Sequence, residues 1–248
     1  ILFDTGASNF FVHNARKLNI NTGEIKNIVL SHSHYDHTGG IKSILKDNGR
    51  ANIYAHPDIF CKKFVKGKTL REIGIPFSRD ELLKYGAEFK FNRSPGEIAK
   101  DVLISGEIPR ENSFEVVEDK FLVKKDIDSD IVHDRMIEEQ ALFIKTDSGI
   151  IVITGCAHSG VINTINYGIE ITGDKRVLLV IGGMHLKDAS KERIYTTISE
   201  LKRLNPRHLG IAHCTGLGPF VMMYNELGSG CFYSSSGTVI EYSKNSIK

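Results

Sequence analysis

The sequence predicts a layered α/β protein built around a mixed sheet. Short β-rich apolar runs alternate with stretches of helical periodicity along the 248 residues. Asp147-Ser148-Gly149 separates two apolar runs as a tight turn does, so at least one strand pair is antiparallel. The composition, 41% hydrophobic and 25% charged, is that of a chain that buries a core. No apolar run approaches the ~20 residues a membrane-spanning helix needs.

The elements follow in order. Residues 1–3 read as a strand, 9–18 as a helix, 25–30 as a strand, 40–46 as a helix and 52–55 as a strand. Residues 57–139 break the pattern: they are rich in Lys and Glu, and their apolar runs are interrupted. They are read as a small α/β cap inserted into a main domain made of residues 1–56 and 140–248. Beyond it come strands at 141–146 and 150–154, a helix at 159–170 and a strand at 177–181. A helix at 190–204, a strand at 208–212, a helix at 217–227 and a strand at 238–241 complete the series.

Lys and Arg number 32 against 30 Asp and Glu, a formal charge of +2. That balance gives no broad basic footprint, so neither a nucleic-acid partner nor a membrane partner is expected. Four cysteines in a chain this long make no disulfide framework, which points to a reducing, cytoplasmic setting. The chain opens without Met directly on an apolar strand, as though N-terminal residues were missing.

Two motifs carry chemistry. Phe3-Asp4-Thr5-Gly6-Ala7-Ser8 resembles the loop of pepsin-type aspartic proteases, in which two aspartates share a proton. Its only partner would be Asp147, in a hairpin turn, and the intervening helical, lysine-rich chain lacks the two β-lobes such a dyad requires. The stronger motif is His32-Ser33-His34-Tyr35-Asp36-His37, three His and one Asp in six residues immediately after a β-rich run. Four such residues in one loop need partners, because burying unpartnered polar groups is costly. Imidazole and carboxylate together suit a hydrolytic metal centre. Further histidines stand at other strand ends: His158 after Gly155-Cys156-Ala157, His185 after Gly182-Gly183-Met184, and His213 before Cys214-Thr215-Gly216. Free cysteine commonly packs as a small hydrophobe, so Cys156 and Cys214 are not counted as ligands. His56 follows another apolar run and is a candidate for the substrate pocket, as is Arg110 for a phosphate group.

His32-Ser33-His34-Tyr35-Asp36-His37, with Leu2-Phe3-Asp4-Thr5-Gly6, His158 and His213, resembles the metallo-β-lactamase superfamily pattern. The resemblance implies an αββα sandwich with one or two divalent metal ions, zinc foremost, with manganese and iron also fitting. The family's N-terminal β-hairpin has no counterpart in this sequence. Carried over, the first ion is held by His32, His34 and His158, and the second by Asp36, His37 and His213. Asp36 also acts as the catalytic group, and Asp4 orients a ligand histidine through its other ring nitrogen. One departure stands out: His185 occupies the place of the family's metal-bridging Asp, which puts filling of the second site in question.

Gly155-Cys156-Ala157-His158-Ser159-Gly160, Gly182-Gly183-Met184-His185-Leu186, His213-Cys214-Thr215-Gly216 and Gly106-Glu107-Ile108-Pro109-Arg110 are similar to one branch of the superfamily. Many of its members are labelled dihydropterin–aminobenzene-phosphate synthases, related to methanopterin assembly. That label implies a phosphate-bearing small-molecule substrate and transfer of a pterin-methyl group to an arylamine ribose phosphate with release of pyrophosphate. A metal centre of this kind also lowers the pKa of bound water from ~15.7 toward ~7, which suits phosphodiester or other ester hydrolysis. A non-catalytic module that binds metal or ligand is the alternative outside enzymology.

Overall fold

The computed structural model describes residues 1–243 and 246–247. Its chain divides into two compact units, Ile1–Ser94 with Val117–Gln140, and Pro95–Val116 with Ala141–Lys248.

In the first unit four parallel strands lie in the order Leu2–Phe3, Asn27–Val29, Ala51–Ala55 and Ala87–Phe91. Ile28, Leu30, Ile53 and Ala55 of this sheet are buried among Ile41, Ile44 and Leu45. Those three residues sit at helical i, i+3, i+4 spacing and form the inner face of the helix Ile41–Asn48. Gly49, left-handed at φ 68°, ends that helix. At its other end a Cβ on Gly39 or Gly40 would collide with the backbone carbonyls of Ala7 and Thr5. The glycine pair therefore lets the loop after the first strand lie directly on the start of the helix. A second sheet in this unit is antiparallel, ordered Val132–His133, Phe121–Lys124, Lys62–Lys66 and Leu70–Glu72.

The second unit carries a seven-stranded mixed sheet. Cys231–Tyr233, His208–Ile211, Val177–Gly182 and Gly149–Thr154 run parallel, followed by antiparallel Leu142–Thr146, Val102–Ile104 and Gly96–Ala99. Thr146 pairs with Gly149 across the expected hairpin turn. The β-branched runs of the central strands suit a sheet whose parallel members are buried: Val152, Val180 and Ile211 are buried with Phe143, Ile165, Ile198 and Leu201. Helices Val161–Thr172, Lys191–Leu204 and Leu217–Leu227 complete this unit.

The mixed α/β class holds, and most element positions hold to within two residues. The strand expected at 238–241 is absent: Thr238 takes part in a turn, its hydroxyl accepting from the Ser235 N–H, and the outermost parallel strand is instead Cys231–Tyr233. Residues 57–139 take three routes. Ala87–Phe91 joins the parallel sheet, residues 96–104 extend the seven-stranded sheet, and Lys62–Lys66, Leu70–Glu72, Phe121–Lys124 and Val132–His133 form the antiparallel sheet.

Candidate functional site

In the first unit the chemistry collects where two parallel strands end side by side. Asp4 follows Leu2–Phe3 with a left-handed backbone, φ 60°, and its N–H donates to the Val29 carbonyl at 2.8 Å. This turn aims its carboxylate at the neighbouring strand end. Asp4 Oδ1 accepts from the Ser31 N–H at 2.7 Å, and Oδ2 accepts from the Ser31 hydroxyl at 2.7 Å. His37 Nδ1 lies 2.6 Å from Asp4 Oδ2. The carboxylate thus engages the Nδ1 edge of the His37 ring, with Nε2 on the opposite edge. Asp36 Oδ2 stands 3.6 Å from that Nε2.

His34 lies on extended chain, and Tyr35–Thr38 forms a single helical turn that carries Asp36 and His37. The His32 ring is 4.6 Å from that of His34 and 4.2 Å from that of His37, with all three buried. His32 Nδ1 lies 2.8 Å from the Ser31 hydroxyl. Burial drives the His34 pKa down to about 3, outweighing the nearby Asp36 carboxylate that would raise it. The imidazole is therefore neutral at ordinary pH, the state in which it donates a lone pair to a metal.

Behind this loop stands a buried charge cluster with no sequence signature. Ser33, between the two histidines, donates to Glu138 Oε1 at 2.9 Å. Lys63 reaches Glu138 at 2.7 Å and Asp134 at 2.7 Å, its side chain 2% exposed. Gln140 donates from Nε2 to the Leu30 carbonyl at 2.9 Å and from its backbone to the Ser31 carbonyl at 2.8 Å. Residues 134–140 thereby fix both the end of the strand and the middle of the histidine motif. His56 is buried elsewhere: Nδ1 accepts from the Asp58 N–H at 3.1 Å, and Nε2 lies 3.0 Å from Arg93. Beside the motif, a cavity of about 1040 Å³ is lined by Tyr35, Phe60, Phe77, Phe91, Lys62 and Arg79 among others.

In the second unit three strand ends supply the histidines. Gly149–Thr154 leads through Ala157, φ 55°, to buried His158. Val177–Gly182 leads to His185, φ 47°, and His208–Ile211 leads to exposed His213, φ 51°. Left-handed backbone at non-glycine residues costs energy, and each of these three turns carries one such residue. The His158 and His185 rings lie 4.1 Å apart. Arg110 donates to the His158 carbonyl at 3.0 Å and the Ser159 hydroxyl at 3.3 Å, so its guanidinium braces this turn.

The cysteines set aside on sequence grounds belong to this cluster. One donor atom each from Cys156, His185 and Cys214 all lie within 4.8 Å of one another. Cys214 Sγ is 3.5 Å from the Cys156 carbonyl. The Cys156 thiol, supported by His185, pulls the Cys214 pKa well below its usual value despite burial. Sequence spacing could not pair them, because 57 residues separate the two cysteines and only the parallel strand order brings their strand ends together.

Imidazoles, a carboxylate and ring nitrogens fixed by second partners form a donor set that fits divalent ions. With the strand-end placement of that set, the chain belongs to the metallo-beta-lactamase superfamily, whose model matches residues 1–171. It is an enzyme of that fold, a fold that binds divalent metals. It is 34% identical over 248 residues, covering 98% of the chain and 84% of the relative, to the 7,8-dihydropterin-6-methyl-4-(beta-D-ribofuranosyl)-aminobenzene-5'-phosphate synthase of Methanocaldococcus jannaschii. An uncharacterised protein of the same organism is 34% identical over 220 residues, covering 87% of this chain and 79% of that protein. A crystal structure described as a metal-dependent hydrolase of the beta-lactamase superfamily is similar at TM-score 0.78 and 30% identity, covering 91% of this chain and 82% of that one. Among the described residues no helix is long and apolar enough to cross a membrane.

Proposed function

We propose that this enzyme joins a pterin-methyl diphosphate to an arylamine ribose phosphate and releases pyrophosphate. The carrying observation is the buried group of His32, His34 and His37 with Asp4 fixed on His37 Nδ1. Similarity to the synthase along nearly the whole chain supports the choice of reaction. Within the first unit His32, His34, Asp36 and His37 are assigned to metal binding, with zinc as the resident metal. When bound, such ions supply Lewis acidity toward diphosphate oxygens.

The chain's own residues do the rest. Phe60, Phe77, Phe91 and Tyr35 give the cavity flat apolar walls for a planar heteroaromatic ring, and Lys62 and Arg79 give it positive charge for phosphate. Part of the antiparallel sheet lines this cavity through Lys62 and Glu72, and that sheet is proposed as the cap. In the reaction the arylamine nitrogen bonds to the pterin methylene carbon. The carbon–oxygen bond to diphosphate breaks with its electron pair on oxygen, and the amine proton passes to Asp36 and then to solvent. His56 and Arg110, considered for substrate contact from sequence, are assigned to holding loops, since their polar atoms engage protein partners.

The test is pyrophosphate release from that substrate pair. Release equal to arylamine consumed, lost in His32→Ala, is the expected result. A second reading, phosphodiester hydrolysis, draws on the likeness to the metal-dependent hydrolase. Turnover of a simple phosphodiester with none of the pterin pair would replace the first reading with the second.

A further inference from the structure

We propose that Cys156, His185 and Cys214 form a thiolate-bearing metal site of their own within the second unit, taking one soft or borderline divalent ion such as zinc. Three donors, two sulfur and one nitrogen, converge within 4.8 Å of one another from three different strand ends. Sulfur with imidazole selects zinc over hard oxygen-seeking ions such as magnesium. Three protein ligands leave a fourth position open for an exogenous ligand, as in catalytic rather than structural zinc sites.

The neighbouring backbone packs closely on both cysteine turns. A Cβ on Gly183 would lie 2.5 Å from the Gly155 carbonyl oxygen, 2.8 Å from Cys214 Sγ and 3.2 Å from the Cys156 Cα, so only glycine lets the chain pass between these turns. The Met184 N–H donates to the Thr215 hydroxyl at 2.9 Å, and the Lys187 N–H donates to the Cys214 carbonyl at 3.1 Å. These bonds tie the His185 turn to the Cys214 turn from both sides. His185 stands where the family resemblance calls for a bridging carboxylate. Its assignment to the two thiols gives that departure a chemical role: an imidazole bridges two ions poorly, but serves well as the nitrogen ligand beside two thiolates. The site adjoins His158 through the 4.1 Å ring contact with His185. The proposal does not depend on the pterin reading.

The experiment loads the metal-free full-length protein with cobalt(II) and records its near-ultraviolet and visible absorption. Sulfur-to-cobalt charge transfer is expected in the wild type, because imidazole and carboxylate ligands alone produce none. The band should disappear in Cys156→Ser/Cys214→Ser, with metal content lower by about one ion per chain, and persist in His32→Ala. Cys214→Ser alone, at a partly exposed position, should weaken or remove the band and serves if the double variant misfolds. Cobalt binding without the band in the wild type would overturn this site and leave the histidine centre standing. So would a thiol titration of the denatured protein that finds two reactive thiols instead of four, because Cys156 and Cys214 would then be joined as a disulfide.

Discussion

The two units present their histidines in opposite ways. In the first, four candidate donors come from one six-residue stretch held by hydrogen bonds and ion pairs: Asp4, on a left-handed turn of its own, in front, and Ser33, Glu138, Lys63 and Asp134 behind. In the second, each histidine sits on its own strand end, and each turn has left-handed backbone, at Ala157, His185 and His213. A contiguous motif can be aimed by hydrogen bonds from neighbouring chain. Scattered residues must be aimed by the turns that carry them, with Gly182 and Gly183 making room for the neighbouring strand end at Thr154 and Gly155.

Breaking the histidine loop should have the largest effect. His32→Ala is expected to remove about one metal ion per chain and the activity with it, while far-UV circular dichroism stays that of the wild type. Elemental analysis after chelator-free purification reads the first outcome, and unchanged metal content would show that His32 is not a ligand. Next comes the support behind the loop. Lys63→Met leaves Glu138 and Asp134 buried without their cation, and removing one partner of a buried pair costs about 3–5 kcal/mol. Urea unfolding measures it, and a loss under about 1 kcal/mol would mean that the cluster relaxes into water.

Burial works against the Lys63 ammonium, but Glu138 and Asp134 outweigh it and raise its pKa above 10.5. Its folded value exceeds its unfolded one, so this contribution is fully present below pH 10.5 and is lost as pH rises through the folded value. The wild type should therefore lose stability in that alkaline window more steeply than Lys63→Met does. A smaller effect is expected at the front of the loop. Asp4→Asn keeps the shape of the side chain but weakens its grip on His37, and changes of this kind lower metal affinity about 10–100-fold. Competition with a chromogenic chelator reads that change, and the fold should survive it.

What the sequence could reveal divides along the same line. The first unit's candidate donors stood out because His32, His34, Asp36 and His37 are neighbours in the chain. Their supports were not. Glu138 lies 105 residues from Ser33 and Lys63 lies 71 from Asp134, and nothing in either local pattern distinguishes them from surface charge. In the second unit, His158, His185 and His213 could be singled out by their places after apolar runs. The thiols beside them could not, since a strand-end cysteine has the same local pattern whether it packs or ligates. The hairpin at Asp147-Ser148-Gly149 was fixed by local turn chemistry, whereas the last parallel strand, Cys231–Tyr233, is only three residues long and is defined by pairing with His208–Ile211. Residues 57–139 were the hardest to read, because their strands join three different sheets.

The smallest expected effect isolates burial as the variable. Lys202 and Glu226 of the second unit stand 2.6 Å apart, about as close as Lys63 and Glu138, but their side chains are 49% and 47% exposed. Water already solvates both ends, and holding two long side chains in one geometry costs entropy. Such pairs contribute about 0.2–1 kcal/mol and are screened by salt. Lys202→Met should therefore shift the urea midpoint only slightly, and less still in high salt, while the Lys63→Met loss should persist at the same ionic strength. Equal losses in the two variants would mean that distance alone governs these pairs. The contrast between a buried support and an exposed tie would then have to be abandoned.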